Sequence, residues 1–270
     1  MVSQLIYQTA MVTGASSGLG EEFAHQLGSR CGTLILVARR EERLLALREE
    51  LMAKHDGLRV EAFAADLSID SDLVSLLTAL RTKGLFPDLL VNNAGLGDYG
   101  EFSASDWTRI DQMLQVNIRA LTKLCHAIAP VMSELGGGSI LNVSSLAGDI
   151  PIPDFAVYAA TKAYVSSFSE ALRIELRAAN INVTMLCPGP IKTEFGDVAR
   201  RAPGASNGLP KESLFYVDKY QAVAEAIVAM QRGKARCYPG LPVRAASVVL
   251  GLLPLVIVRL IMATRPRQLD

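Results

Sequence analysis

Short apolar runs recur along the chain at residues 9–13, 33–38, 59–64, 88–92, 139–144 and 182–187. Their apolar residues fall at adjacent positions rather than strictly at alternate ones, the pattern of strands covered on both faces. Between them, helical periodicity predicts helices over 21–28, 41–55, 70–83, 107–135 and 157–179. Strands that alternate with helices on this scale predict a parallel sheet with right-handed crossovers and helices on both faces. The fold class is therefore α/β, doubly wound, with a single sheet.

The pattern breaks at residues 188–220, where Pro, Gly, Ser and charged side chains form a loop longer than compact domains carry without a purpose, such as a mobile lid over a site. A short helix at 221–231 and an edge strand near 236–238 follow. We expect residues 1–240 to form one catalytic domain. Residues 241–270 form an apolar extension packed on it or at an interface. Half of the 270 residues are hydrophobic and a fifth are charged, enough material for a large core. Lys plus Arg and Asp plus Glu both number 27, which removes the broad attraction on which nucleic-acid binders depend. Cys31, Cys125, Cys187 and Cys237 are scattered without metal-ligand spacing, so no metal site and reduced thiols are expected. The first ten residues lack the pattern of a secretory leader, and a cytoplasmic location is expected.

The first strand runs into Thr13-Gly14-Ala15-Ser16-Ser17-Gly18-Leu19-Gly20 and then into a helix. Glycines let the backbone turn and approach a pyrophosphate, and the helix N-terminus offers it free N–H groups. The second strand ends Ala38-Arg39-Arg40 rather than on a carboxylate. An acidic residue there would accept hydrogen bonds from a ribose 2′-hydroxyl, whereas arginine meets a 2′-phosphate with charge-assisted bonds. Arg39 is the residue expected to do so, with Ser16 beside it. Farther along, Ser145 falls where the fifth strand gives out, and Tyr158 opens a helix on which Lys162 lies four residues on, sharing its face. Ser144 would place its hydroxyl on the opposite face of the strand. A free tyrosine titrates near pH ~10, so service as a base near neutrality needs a downward shift of roughly three units, for which an adjacent ammonium is one source.

With this Thr-Gly-x3-Gly-x-Gly loop and a Tyr-x3-Lys pattern preceded thirteen positions earlier by serine, the sequence resembles the short-chain dehydrogenase/reductase family over about residues 9–240. The resemblance implies a Rossmann-type fold and hydride transfer between an alcohol and a carbonyl with Tyr158 moving the proton, and the arginines that end the second strand make NADP(H) rather than NAD(H) the expected cofactor. It implies that Asp66 and Leu67 contact the adenine and that Asn93, Ala94 and Gly95 line the cofactor. Lys162 takes a second task at the nicotinamide ribose, Asn117 joins a water-mediated proton relay, Pro188 and Gly189 form the family's cofactor-binding Pro-Gly motif, and Ile191 and Thr193 touch the nicotinamide carboxamide. Oxidised nicotinamide, itself cationic, would lower the tyrosine further.

Leu96, Tyr99, Leu146, Ile150, Ile152, Phe155, Phe195 and Phe215 lie in loops beyond strand ends and are expected to line the substrate pocket. Their apolar character points to a hydrophobic ketone, aldehyde or secondary alcohol. A 3-oxoacyl-thioester reductase is the rival within enzymology, and an NADPH-binding protein without turnover is the rival outside it. Residues 245–263 are almost wholly apolar, broken by Pro254 and Arg259 and followed by Arg265 and Arg267. The charge-free run is too short for a spanning helix, leaving a helix packed over the pocket or a partner subunit, or a peripheral anchor with a basic tail. The long helices over 107–135 and 157–179 suit a homodimer or homotetramer.

Overall fold

The computed structural model describes residues 6–201 and 214–264. Seven parallel strands, β1 (Tyr7–Thr13), β2 (Cys31–Ala38), β3 (Arg59–Ala64), β4 (Leu89–Asn92), β5 (Gly138–Val143), β6 (Ile181–Leu186) and β7 (Arg236–Cys237), form one sheet in the order β3-β2-β1-β4-β5-β6-β7. Chain order reverses direction between β1 and β4, and in open α/β sheets ligands bind beyond the carboxyl ends of the strands at such a switch point.

The run of apolar residues in each strand is explained by the two layers it must fill. Val12 of β1 faces one side, with Phe23, Leu27 and Leu44 from α1 (Gly18–Leu27) and α2 (Glu41–Lys54). Met11, one residue earlier, points to the other side. The core layer on that side also includes Leu76 of α3 (Asp70–Thr82), Leu124 and Ile128 of α5 (Leu121–Glu134), and Val165 of α6 (Ala156–Glu175). In the sheet, Val12 sits opposite both Leu36 and Val91, and Val91 opposite Leu141, so the central register is set by side chains that are fully buried.

Several segments differ from the sequence expectation in detail. The helix expected over 107–135 is α4 (Trp107–Leu114) joined to α5 through a π-helical stretch, Gln115–Ala120, a distortion found mostly at functional sites. The loop after β6 contains a short helix, α7 (Glu194–Ala199), where the Thr193 hydroxyl accepts a hydrogen bond from the N–H of Phe195. The following helix, α8 (Lys219–Gln231), starts two residues early because Asp218 accepts from the N–H groups of Tyr220 and Gln221. The apolar extension is two helices, α9 (Leu241–Leu252) and α10 (Leu255–Ala263), bent by 117° at Leu253-Pro254. No helix among the described residues is long and apolar enough to cross a membrane by itself. Arg265 and Arg267 lie outside the described residues. The four cysteines are buried and unpaired, and no cluster of metal-ligating side chains occurs among the described residues.

Candidate active site

Beyond the end of β1 the chain turns at Gly14 (φ +67°) and again at Gly18 (φ +61°), left-handed conformations that favour glycine. A Cβ on Gly20 would stand 2.2 Å from the Gly14 carbonyl oxygen, so the loop folds back on itself with no room for a side chain. Thr13 binds this loop to the next strand. Its hydroxyl donates to the Val91 carbonyl at 3.3 Å and accepts from the N–H groups of Asn93 and Ala94, each at 3.0 Å. Asn93 Nδ2 donates to the Thr13 carbonyl at 2.9 Å. The Asn93 side chain thus holds the two strand ends together. Ser17 precedes α1 without capping it through its side chain, which leaves the N–H groups of the first turn and the positive helix end for an anion.

This loop forms one wall of a cleft of about 1220 Å³. Of the positions expected to contact the cofactor, all line the cleft except Gly20, whose role is the close packing just described. A glycine-walled cradle at an uncapped helix end fits a pyrophosphate.

The two arginines after β2 part company. Arg40 Nε donates to Ser16 Oγ and its Nη2 to the Ser16 carbonyl, both at 3.2 Å, while Nη1 donates to Glu194 at 2.8 Å. Arg39 turns the other way, 3.9 Å from Asp66, with more than half of its side chain exposed. Successive residues leaving a strand point in opposite directions. The expected partnership of Arg39 with Ser16 is therefore corrected: Ser16 belongs to Arg40. Arg43 joins it on Glu194 at 2.7 Å, and these two cations, Arg43 first, hold the Glu194 carboxyl down to about 2. Asp66 accepts from the Ser68 N–H and hydroxyl at 2.9 and 2.7 Å, closing a turn before α3.

At the other end of the cleft, β5 runs out into Ser145, whose hydroxyl accepts from the Ala147 N–H at 3.1 Å and so starts the turn Leu146–Asp149. The Ser144 hydroxyl faces away, bonded to the Lys162 carbonyl at 2.9 Å and to Ser166 Oγ at 2.8 Å. The turn crosses α6 so closely that a Cβ on Gly148 would lie 2.7 Å from the backbone of Lys162. Asp149 is fastened to the sheet edge by the Tyr238 hydroxyl at 2.9 Å. Serine and helix are therefore held against each other before any ligand is considered.

On α6, Tyr158 and Lys162 are both buried on one face, with the Lys162 ammonium 5.7 Å from the centre of the Tyr158 ring. The ammonium donates to the Val143 carbonyl at 2.8 Å. Phe155 stacks on the phenol ring at 4.3 Å and Phe195 leans on it at 5.4 Å. This apolar enclosure decides the electrostatics. Burial pushes the Tyr158 phenol up to about 12, against a smaller downward pull from the Ser145 hydroxyl. Burial also lowers Lys162 to about 8. The downward shift expected for Tyr158 is thus not produced by the protein's own groups. A lysine this strongly desolvated, with its charge directed at a backbone carbonyl, does not offset the loss of water around the phenol.

Asn117, in the π-helical stretch, is fully buried but does not reach the cleft wall. Its Nδ2 donates to the Leu96 carbonyl at 2.9 Å and to Thr161 Oγ1 at 3.0 Å, and its Oδ1 accepts from the Leu96 N–H at 2.8 Å. It positions the Gly95-Leu96 turn and α6 relative to each other. Seven of the eight expected pocket residues line the cleft; Tyr99 packs edge-on behind Phe155 at 5.7 Å, its loop held back by the N–H bond from Tyr99 to the Ala199 carbonyl. Sequence reasoning missed Glu194, although its place directly after a capping threonine marks the first turn of a helix. It also missed Asp98, buried between Arg109 at 3.1 Å and Arg201 at 2.8 Å, for which a lone Asp in a loop gives no local signal.

Comparisons with known proteins agree with this geometry. The family model described as short chain dehydrogenase matches residues 8–203. An uncharacterized oxidoreductase of Myxococcus xanthus is 32% identical over 92% of this chain and 95% of its own. Among solved structures, a short-chain dehydrogenase from Sphingobium yanoikuyae in complex with NADPH superposes with a TM-score of 0.80 at 31% identity, covering 97% of this chain and 98% of that one. A bulky-bulky ketone specific alcohol dehydrogenase from Comamonas testosteroni gives 0.76 at 28% identity, covering 97% and 96%. With the glycine cradle, the switch-point cleft and the Ser145, Tyr158 and Lys162 constellation all in place, the chain belongs to the short chain dehydrogenase family and is an oxidoreductase of that family.

Proposed function

We propose that the protein uses NADP(H) to interconvert a bulky hydrophobic ketone and its secondary alcohol. The observation that carries this reading is the phenol of Tyr158, placed beside Lys162 and Ser145 at the apolar end of a cleft whose other end is walled by the glycine loop and two arginines. The likeness to an NADPH complex and to an alcohol dehydrogenase specific for bulky ketones supports the same choice of cofactor and substrate class.

Gly14, Ser17, Gly18 and Leu19 would hold the pyrophosphate, Arg40 with Ser16 the 2′-phosphate, and Arg39 with Asp66 and Leu67 the adenine side. Asn93, Ala94 and Gly95 would form the cleft floor, with Pro188, Gly189, Ile191 and Thr193 at the nicotinamide end. When bound, the cofactor supplies or accepts the hydride. Tyr158, which keeps its proton at neutral pH because burial raises its pKa, donates that proton to the oxygen of the reacting carbonyl. The Ser145 hydroxyl donates a second hydrogen bond to the same oxygen. Lys162 holds positive charge beside the phenolate that is left, and Asn117 keeps Lys162 and the Gly95 turn in register. Phe155, Phe195 and Leu96 exclude water and accept an apolar substituent. The outward faces of α4 and α6, with Trp107 and Ile174 well exposed, suit a homo-oligomer. The buried free thiols suit a reducing cytoplasm.

The test is loss of NADPH absorbance with a panel of carbonyl compounds, using wild type and Tyr158→Phe. Wild type is expected to turn over bulky apolar ketones, and the variant to lose about a hundredfold or more in kcat/KM with NADPH binding intact. Undiminished activity in the variant, or turnover restricted to small charged sugars and acids, overturns the reading. NADPH binding without any turnover identifies a protein that keeps the fold but not the chemistry.

A further inference from the structure

From Leu241 to Thr264 the chain carries nine exposed large apolar side chains, among them Leu241, Val248, Leu252, Leu255, Val256 and Leu260. Only Val243 and Val258 are buried. Soluble monomers rarely show an apolar surface this continuous. The two helices are also the lip of the substrate cleft: Pro242 and Ala245 of α9 and Met262 of α10 line it, and Val249 and Ile261 both line it and are half exposed outside. The outer patch and the cleft wall are thus one surface folded over a rim.

We propose that this helix pair seats the protein on an anionic lipid surface, with the cleft mouth against the lipid, so that an apolar substrate passes from the lipid into the site without crossing water. The seat rests on the patch alone; the passage of substrate rests on the hydrophobic substrate proposed above. Three observations favour lipid. First, residues 241–264 contain no acidic side chain, and their cations are Arg244, paired with Glu225 at 3.0 Å, and Arg259, which has no ion pair among the described residues. The sequence continues at once with Arg265 and Arg267, so this stretch of sequence is cationic, as suits an anionic headgroup layer. Second, a two-fold interface sets a patch against itself. The exposed Arg259 would then be covered by a surface that contains no acidic side chain to pair with it. Third, α9 is only about 18 Å long at 1.5 Å per residue, and the pair is bent by 117° at Pro254. A helix of that length falls short of a hydrocarbon core about 30 Å thick, but it lies readily in the interface with the Leu252–Leu255 corner leading.

Flotation of the full chain with vesicles of phosphatidylcholine alone, or with phosphatidylglycerol added, tests the seat. Wild type is expected to bind, and to bind more with the anionic lipid. The double variant Leu252→Gln, Leu255→Gln, altered at two exposed positions outside the cleft lining, is expected to lose about tenfold or more in vesicle binding. Its NADPH binding, its far-ultraviolet circular dichroism and its turnover of a water-soluble ketone should remain those of wild type. Arg259→Glu is expected to lose only the preference for anionic vesicles. Vesicle binding that is absent in wild type, or equal in wild type and the double variant, overturns the proposal. A dimer that dissociates in the double variant, with no vesicle binding by wild type, assigns the patch to a second copy instead. Because vesicle binding is read without catalysis, an inactive enzyme that still floats would sink the substrate reading and leave the seat standing.

Discussion

Arg40 donates through Nη1 to the carboxylate of Glu194 at 2.8 Å, so the first residue of the short helix α7 is tied to the arginine that is bonded to Ser16 of the glycine loop. Arg43 reinforces the tie at 2.7 Å. The carboxylate stays ionised down to a pH of about 2, and it places negative charge where a 2′-phosphate would be drawn to the same cations.

Glu194→Gln is therefore expected to lower KM for NADPH by about threefold, in line with the ~0.5–1 kcal/mol of an exposed ion pair, with KM for NADH little changed. Steady-state kinetics with both cofactors would check this. A rise in KM for NADPH would mean that Glu194 holds the arginines in place rather than competing for them.

The two arginines should also be separable. Loss of a charge-assisted bond costs roughly 1.5–3 kcal/mol, so Arg40→Ala is expected to raise KM for NADPH about tenfold or more. Arg39→Ala should do less, because Arg39 is the more exposed and its only ion pair is the long one to Asp66. The reverse order of effects would return the phosphate to Arg39.

Sequence and structure agree most closely where local pattern is strong. Every strand lies within two residues of its expected ends, since continuous apolar runs between glycines and helix caps leave little choice of length. The glycine loop, Ser145, Tyr158 and Lys162 were legible for a similar reason: their spacing along the chain carries their spacing in space, a helical turn separating Tyr158 from Lys162. What could not be read was pairing across the fold. Arg40 rather than Arg39 lies on Ser16 because of how the chain leaves β2, and Glu194 reaches the arginines from more than 150 residues away. The pKa of Tyr158 depended on how tightly Phe155 and Phe195 close around it, which no local pattern encodes.

Lys162 gives a pH dependence with a definite sign. Its pKa falls from 10.5 to about 8 on folding, so between these values the unfolded chain binds more protons than the folded one. Stability from this group therefore rises with pH over that window, by about 3 kcal/mol at most, and the cost of the buried charge is fully present below it. Relative to Lys162→Met, wild type should gain in Tm between about pH 8 and about pH 10. A difference that does not change with pH would show that the ammonium is not desolvated.

Asp98 is buried between Arg109 and Arg201, and Arg109 also donates to the carbonyls of Val198 and Arg200 at 3.0 and 3.2 Å. One carboxylate thus anchors the end of the α7 segment. Asp98→Ala leaves two cations without their partner and is expected to destabilise the protein by roughly 3–5 kcal/mol. For a chain of this size that is a fall in Tm of about 6–20 °C, measurable by differential scanning fluorimetry. A fall of less than about 2 °C would mean that solvent replaces the carboxylate without cost.

Every group assigned to chemistry sits past the carboxyl ends of the strands, while Gly57 and Gly84, in the connections that enter β3 and β4, have nothing within 4 Å of where a side chain would begin. The molecule therefore has a working end and a spare end. A fluorophore-bearing insertion or a surface tether placed at those two bends would leave catalysis untouched, so the enzyme could be fixed to a support by its back with its mouth turned outward.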